Sequence, residues 1–330
     1  MLRRVFVSLV ASFALTGCVL YAPIDLGSLG GPGELRETLV EGTTGPKIVL
    51  VDITGEISDA EERSNFAFAQ RPSIVAETKN VLDRAAADDD VVALLLRINS
   101  PGGSVSASDT LYHEIKAWKD ENKKPVFAYF NGISASGAYY TAMAADHIVA
   151  HPACVTGPIG VIMPGLSIEG LMEKYGVADQ TLTSGPYKDA GSMFRDMRPD
   201  ERKQLQSVID DLYHRFTSVV ALGRPGLDAA KIHTLADGRV YSADQALAAG
   251  LVDELGYLDD TVAAIQKQAG IKESRVVVYH RSNSVRENIY SRAMGAPDLS
   301  LQALELGLAS LRRSALAPGF YYLWPAALTP

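Results

Sequence analysis

The sequence predicts an α/β fold built from right-handed βαβ units. Residues Val91 to Leu96 form a continuous apolar run of strand length, the mark of a parallel strand covered on both faces. Segments with apolar residues at helical spacing alternate with such runs between residues 47 and 265. The chain has 330 residues, 47% hydrophobic and 21% charged, an ordinary globular composition with room for about two domains.

The elements follow in order. Ile48 to Ile53 is a β-rich run. Pro72 to Ala87 carries Ile74, Val81, Leu82 and Ala85 at helical spacing, with Pro near the first turn. After the buried strand at Val91, Thr110 to Lys119 reads as helix and Pro125 to Phe130 as strand. Ser136 to Ala145 is rich in small helix formers, and His147 to Ala150 is a strand. Leu166 to Tyr175 reads as helix and Val177 to Thr183 as strand. A long helix starts at Pro199, where Asp200 and Glu201 suit the positive end of its dipole. Leu205, Val208, Ile209, Leu212, Phe216, Val219 and Val220 share one face, and Gly223 ends it. A further unit, Gly238 to Ile265, brings the body to its end near residue 270. Beyond it, Val276 to Tyr279 is a strand candidate, and Leu301, Leu304, Leu308 and Leu311 mark a short amphipathic helix. The terminal APGFYYLWPAALTP must bury its aromatic rings. It either packs as an oligomer clamp or plugs an apolar groove of its own or a neighbouring protomer.

The other end is an address. Arg3 and Arg4 precede an apolar stretch, Val5 to Leu15, too short to span a bilayer. Leu15-Thr16-Gly17-Cys18 resembles the bacterial lipobox, which implies lipidation of Cys18 as the mature N-terminus. An ordinary signal peptide with an incidental Cys, or an uncleaved anchor, is the alternative. Residues 1–17 are then a signal peptide, 18–45 a Gly- and Pro-rich tether, 46–270 the body and 271–330 a C-terminal extension. Val19 after the Cys resembles Gram-negative sorting patterns for the outer membrane, facing the periplasm. With Cys18 lipidated, Cys154 has no disulfide partner. A net charge of −8 without a Lys/Arg run argues against nucleic acid as partner.

Three segments could carry chemistry. Arg97-Ile98-Asn99-Ser100-Pro101-Gly102-Gly103-Ser104 follows the buried strand, and its glycines let backbone N–H groups approach a ligand. A plain tight turn explains the same residues. Asn131 to Tyr140 (NGISASGAYY) leads from strand to helix. A Ser there could be a nucleophile beside oxyanion-stabilising N–H groups, or Ser134 or Ser136 could simply cap the helix. Ser136 takes the second Gly position of G-x-S-x-G, so the nucleophile-elbow signature is not met. Ser184-Gly185-Pro186-Tyr187-Lys188-Asp189 could hold an amine in a desolvated place, although a lone Lys is usually a solvated surface residue.

Together these strings resemble the bacterial signal peptide peptidases of the SppA type. The matches are INSPGGS (98–104), SASGAYY (134–140), TGPIGVI (156–162), SGPYKDAGSMFRDM (184–197) and GRVYSADQALAAGLVDELG (238–256), in the family's order. The resemblance covers about residues 46–270 and implies a Clp-protease/crotonase-like stack of βαβ units. It implies Ser136 as nucleophile and Lys188 as general base. Gly137 would supply one oxyanion donor and Gly102 or Gly103 the other. Ser184 is placed to orient Lys188. A homo-oligomeric ring, an octamer, is implied, with Ser and Lys of one site drawn from adjacent protomers. The expected activity is cleavage of remnant signal peptides or other apolar peptides through an acyl-enzyme, with no cofactor and no metal. Lys188 must then lose its proton near neutral pH, well below the usual value of about 10.4. Two departures stand out. Arg198 replaces the family's Thr before the long helix, removing a cap, and Ala190 to Phe194 lacks the family's Ser-Pro.

Rival readings remain at this level. A Ser-His-Asp mechanism would need one of His113, His147, His151, His214, His233 or His280. A crotonase-type acyl-CoA enzyme would share the fold without needing the SASG and YKD pair. A non-catalytic lipoprotein ring binding apolar segments would need neither residue.

Overall fold

The computed structural model describes residues 34–63, 70–281 and 319–328. Cys18, most of the tether and the 301–311 helix lie outside them. The chain runs β1 (Arg36–Glu41), β2 (Lys47–Thr54), β3 (Glu62–Arg63), β4 (Gln70–Arg71), α1 (Ile74–Ala86), β5 (Val91–Ser100), β6 (Gly102–Ser104) and α2 (Val105–Asn122). Then come β7 (Val126–Ala135), α3 (Gly137–Ala142), β8 (His147–Ala150), β9 (Val155–Gly157), α4 (Glu169–Lys174), α5 (Pro199–Gly223) and α6 (Ala229–Leu235). It closes with β10 (Tyr241–Ser242), α7 (Ala243–Ala249), β11 (Glu254–Leu255), α8 (Leu258–Ala269), β12 (Arg275–His280), β13 (Tyr321–Leu323) and a 3-10 turn, Pro325–Leu328.

The main sheet has the order β1-β12-β2-β5-β7-β8-β11. Every pair from β12 to β11 is parallel, and β1 closes one edge antiparallel to β12. This is the predicted α/β architecture. Its strands alternate side chains between two faces with period two. Ile48, Leu50, Ala93, Leu95, Phe127 and Tyr129 pack against Leu258, Val262 and Ile265 of α8. Val49, Val51, Leu94, Leu96, Ala128 and Phe130 face the other way, onto Leu82 of α1 and Leu111 and Ile115 of α2. Burial on both faces explains why Val91 to Leu96 carries no polar residue. Truncating one such Leu to Ala costs about 2–5 kcal/mol.

The sheet extends past residues 46–270. It takes in Arg36–Glu41, which the sequence places in the tether, and Arg275–His280 from the extension. The α1 helix starts after Ser73, whose hydroxyl accepts from the Ala76 N–H at 3.2 Å. The strand expected over Val177 to Thr183 does not form. Val177 is 55% and Leu182 97% exposed, so this apolar run meets no neighbour within the described chain that could complete a ladder. The α5 helix spans Pro199 to Gly223 as predicted, and Arg198 precedes it without a side-chain cap. Its C-terminal half is the buried part, through Phe216, Val219 and Val220.

Two strands outrun their sequence signal. β5 continues to Ser100 and β7 to Ala135, because the polar ends are held by hydrogen bonds rather than by apolar burial. The Asn99 side-chain oxygen accepts from the Ile133 N–H at 3.1 Å, and the Ser134 hydroxyl donates to the Ile98 carbonyl at 2.9 Å. The Thr156 hydroxyl in turn donates to the Ser134 carbonyl at 2.6 Å, tying in β9. Both strands therefore deliver their carboxyl ends to one place, where ligands bind in parallel α/β sheets.

Candidate active site

Ser136 sits between β7 and α3 with φ 53° and ψ −112°. A non-glycine side chain at positive φ is held there by its surroundings. The Ser136 N–H donates to the Gly157 carbonyl, and its carbonyl accepts from the Tyr140 N–H at 2.8 Å. Its side chain makes no cap hydrogen bond, so the capping explanation is set aside for Ser136. Ser134 does not cap the helix either, since its hydroxyl is spent on Ile98. The turn is the sharp strand-to-helix elbow that exposes a nucleophile, reached without the G-x-S-x-G signature.

The INSPGGS residues build the facing wall. The Gly102 N–H donates to the Ser100 hydroxyl at 3.1 Å, and Ser104 caps α2 by accepting from the Ala107 N–H at 3.3 Å. On one edge of β6, the Gly102 carbonyl accepts from the Ile57 N–H at 2.8 Å and the Ser104 N–H donates to the Ile57 carbonyl at 3.0 Å. Strand geometry turns the Gly103 N–H and carbonyl to the opposite edge. That edge faces Ser136: a Cβ on Gly102, whose φ is +95°, would lie 2.7 Å from the Gly137 nitrogen. The plain-turn alternative does not account for this approach. Of the two candidate glycines, Gly103 is the one with its N–H free to face the groove.

A groove runs along this edge, and a segment of the chain lies in it. β13 pairs antiparallel with β6, with Tyr322 opposite Gly103. Its other edge meets the TGPIGVI motif, where Ile162 and Tyr321 exchange hydrogen bonds of 3.0 and 2.9 Å. The aromatic tail is thus buried against the body, in the groove beside the nucleophile turn.

Lys188 and Ser184 lie elsewhere. Both are exposed, on the irregular stretch between α4 and α5, and no hydrogen bond joins Lys188 to Ser136 within the described chain. The stretch is anchored beside Lys188. The Arg195 guanidinium bonds the Asp189 carboxylate at 2.8 Å and the buried Glu201 at 2.9 Å, and Glu201 also accepts from the Gly191 N–H at 2.5 Å. Arg195 holds the Asp189 carboxyl below the usual carboxylate range. Burial pushes Glu201 up, but the Gly191 N–H and Arg195 outweigh it, and its carboxyl also lies below that range.

No histidine takes the place of that amine. The parallel register puts His147 opposite Phe127, nine strand residues upstream of Ser136 and on the order of 25–30 Å away. The His147 ring lies 3.4 Å from Glu254, and His151 packs edge-on against Tyr257. Among the described residues, none of the histidines hydrogen bonds Ser136.

Sequence reading missed three contributors: Ile162 as the second groove edge, Glu201 as a buried anchor, and the pair Tyr140 and Phe216 under the tail. Glu201 reads as a dipole-compensating acid, and the rest are apolar or aromatic residues in helical or loop strings. Only the aromatic tail itself signalled a missing partner.

Comparison with known proteins follows the motifs. The family model described as peptidase family S49 matches residues 119–272. The chain is 36% identical to the putative signal peptide peptidase SppA of Enterococcus faecium over 246 residues, 74% of this chain and 70% of that one. It is 39% identical to a putative protease of Synechocystis over 234 residues, 71% of this chain and 78% of that one. Among solved structures, it is similar to a point mutant of ClpP1 from Listeria monocytogenes, with 18% identity, a TM-score of 0.42, and coverage of 64% of this chain and 94% of that one.

Proposed function

This chain belongs to peptidase family S49, as a serine peptidase of the signal peptide peptidase type, and on that premise we propose that it cleaves apolar peptides with Ser136 as nucleophile and Lys188 as general base. The observation that carries the reading is the elbow at Ser136, uncapped and beside the Gly102-Gly103 turn, with an extended segment laid along the adjoining groove. A substrate would bind as that segment does, between β6 and Ile162. Ser136 Oγ attacks the carbonyl carbon as its proton passes to the neutral Lys188 amine. The oxyanion receives the N–H groups of Gly137 and Gly103. The Lys188 ammonium then protonates the leaving nitrogen, the C–N bond breaks, and the acyl-enzyme is released by a water whose proton returns through Lys188.

In one chain Lys188 is exposed and away from Ser136, which supports a ring in which each site takes its lysine from the neighbour. Leu166, Leu171, Tyr175, Val177, Leu182, Tyr187, Met193 and Phe194 are all exposed on the same stretch, an apolar surface suited to a second copy of the chain. Burial beneath that copy favours the uncharged amine. Remnant signal peptides fit such a groove. Lipidation of Cys18 would hold the ring at the membrane facing the periplasm, at the outer membrane by the identity of Val19. Replacing Cys18 by Ala should then move the chain from the membrane to the soluble fraction.

Product mapping on a synthetic signal peptide tests the catalytic reading. Ser136→Ala and Lys188→Ala should each remove the fragments while circular dichroism stays unchanged. Undiminished cleavage by either variant overturns the assignment of that residue.

A further inference from the structure

The register of β13 says more than that the groove is filled. The Val105 N–H donates to the Phe320 carbonyl at 3.4 Å, and the Trp324 N–H donates to the Pro101 carbonyl at 2.9 Å. Antiparallel ladders alternate bonded and non-bonded pairs, so Gly103 and Tyr322, midway between, form a bonded pair. The Gly103 N–H therefore meets the Tyr322 carbonyl. A Cβ on Gly102 would collide with that carbonyl oxygen, and one on Gly137 would lie 3.0 Å from it. The oxygen of Tyr322 thus sits among the backbone groups that would receive the oxyanion. That is where the acyl residue of a cleaved bond belongs.

Its side chain enters a pocket made for it. The Tyr322 ring is fully buried, stacked on Tyr140 with centroids 5.1 Å apart and planes at 25°. Phe216 of α5 closes the other side at 4.6 Å and 50°. The Tyr322 hydroxyl donates to the Leu212 carbonyl at 2.8 Å. The Tyr140 hydroxyl is committed to Asp109, which also binds Arg215 at 2.8 Å. Tyr140 is therefore fixed as a wall, and the ligand hydroxyl has its own acceptor on α5. An aliphatic side chain would forfeit the stacking, and a phenylalanine would forfeit the bond to Leu212.

We propose that the pocket between Tyr140, Phe216 and the Leu212 carbonyl is a tyrosine-reading subsite for the acyl side of the cleaved bond, and that the chain's own Phe320–Trp324 occupies it as an internal competitor of substrate. The proposal rests on the catalytic reading of Ser136 above. It deepens that reading by naming the residue class that the site takes. The competitor is held by backbone bonds on two edges and one buried ring, so it exchanges with a peptide that offers the same groups. Being tethered, it competes at an effective concentration in roughly the millimolar range.

Binding tests it without requiring turnover. The full chain carrying Ser136→Ala and Tyr322→Ala is titrated with a fluorescent peptide of residues 318–326, Pro-Gly-Phe-Tyr-Tyr-Leu-Trp-Pro-Ala. Replacing its second Tyr by Phe should weaken binding about fivefold, and replacing it by Ala at least about twentyfold. The chain with Ser136→Ala alone should bind the Tyr peptide at least about tenfold more weakly, because Tyr322 is still in place. A Tyr322→Phe chain keeps the packing and should fall between the two. Equal affinity for the three peptides overturns the subsite, and equal affinity with and without Tyr322 overturns the internal competitor. In the catalytically intact chain, Tyr322→Ala should lower KM for a peptide with Tyr before the cleaved bond. If neither form of that chain cuts peptides, the catalytic reading fails while the binding result still decides the subsite.

Discussion

Ser136 has a backbone conformation that costs a side chain about 1–3 kcal/mol relative to a relaxed one. The cost is carried by the Gly157 carbonyl on one side and the closely packed α3 on the other, and it turns the hydroxyl away from the cap position. Function and stability therefore pull against each other at this one residue. Replacing Ser136 by Gly should relieve the strain, which outweighs the added freedom of the unfolded chain. The expected gain is about 1 kcal/mol, or roughly 2–4 °C in Tm for a body of this size, together with complete loss of peptide hydrolysis. Ser136→Ala keeps the strain, so it should lose hydrolysis without the rise in Tm. Calorimetry on the three proteins separates these outcomes, and a Gly variant less stable than the Ala variant would refute the strained elbow. The buried Cys154 illustrates the contrasting case. Burial pushes its thiol up to about 11, which suits a packing residue and not a second nucleophile.

The irregular stretch between α4 and α5 is the element on which catalysis would turn, and it is held by charge rather than by a core. Arg195 bridges Asp189 and Glu201, while Asp196 accepts from the Ser167 hydroxyl at 3.0 Å and its own N–H donates to Glu169 at 2.6 Å. Lys188 is the immediate neighbour of Asp189, so this network sets where the amine can reach. Asp189 and Glu201 both have depressed values in the folded chain. Their contribution is therefore complete above the ordinary carboxylate range, about 4, and is lost as pH falls through the depressed values. Arg195→Met should speed hydrogen exchange across residues 184–197 at neutral pH and lower peptide hydrolysis. The difference from the parent chain should shrink once acid has titrated both carboxylates. Identical exchange at neutral pH would remove the anchor. The sequence spelled out Lys188 here but not its support, because Glu201 looks like any acidic residue in a first helical turn. It also suggested a strand over Val177 to Thr183, since β propensity is visible in a sequence and the absence of a partner strand is not. The buried β5 was legible for the opposite reason: burial on both faces leaves a purely apolar run. The nucleophile was legible through its motif. The subsite was not, because Tyr140, Phe216 and Tyr322 meet only through the register of β6 against a strand over two hundred residues away.

At the scale of the whole molecule, one chain is an incomplete enzyme. The nucleophile and oxyanion groups sit at the carboxyl ends of β5 and β7, whereas Lys188 stands on an exposed apolar arm. Residues 166–194 leave large apolar side chains in water, a cost that a lone protomer has no means to offset and a closed ring removes. A cyclic assembly in which each arm reaches the next protomer joins the two halves with one repeated, head-to-tail contact. That geometry has a consequence that no single-chain site shares. Chains carrying Ser136→Ala supply a competent lysine, and chains carrying Lys188→Ala supply a competent serine. Each homogeneous ring should be inactive. After dissociation and reassembly of an equal mixture, roughly a quarter of the sites should combine an intact Ser136 with a neighbour's intact Lys188, by random arrangement around the ring. Hydrolysis of a reporter peptide should then recover to about that fraction of the parent rate, following the product of the two mole fractions as the ratio is varied. A mixture that stays inactive at every ratio, although native mass spectrometry shows mixed rings, would mean that each chain completes its own site.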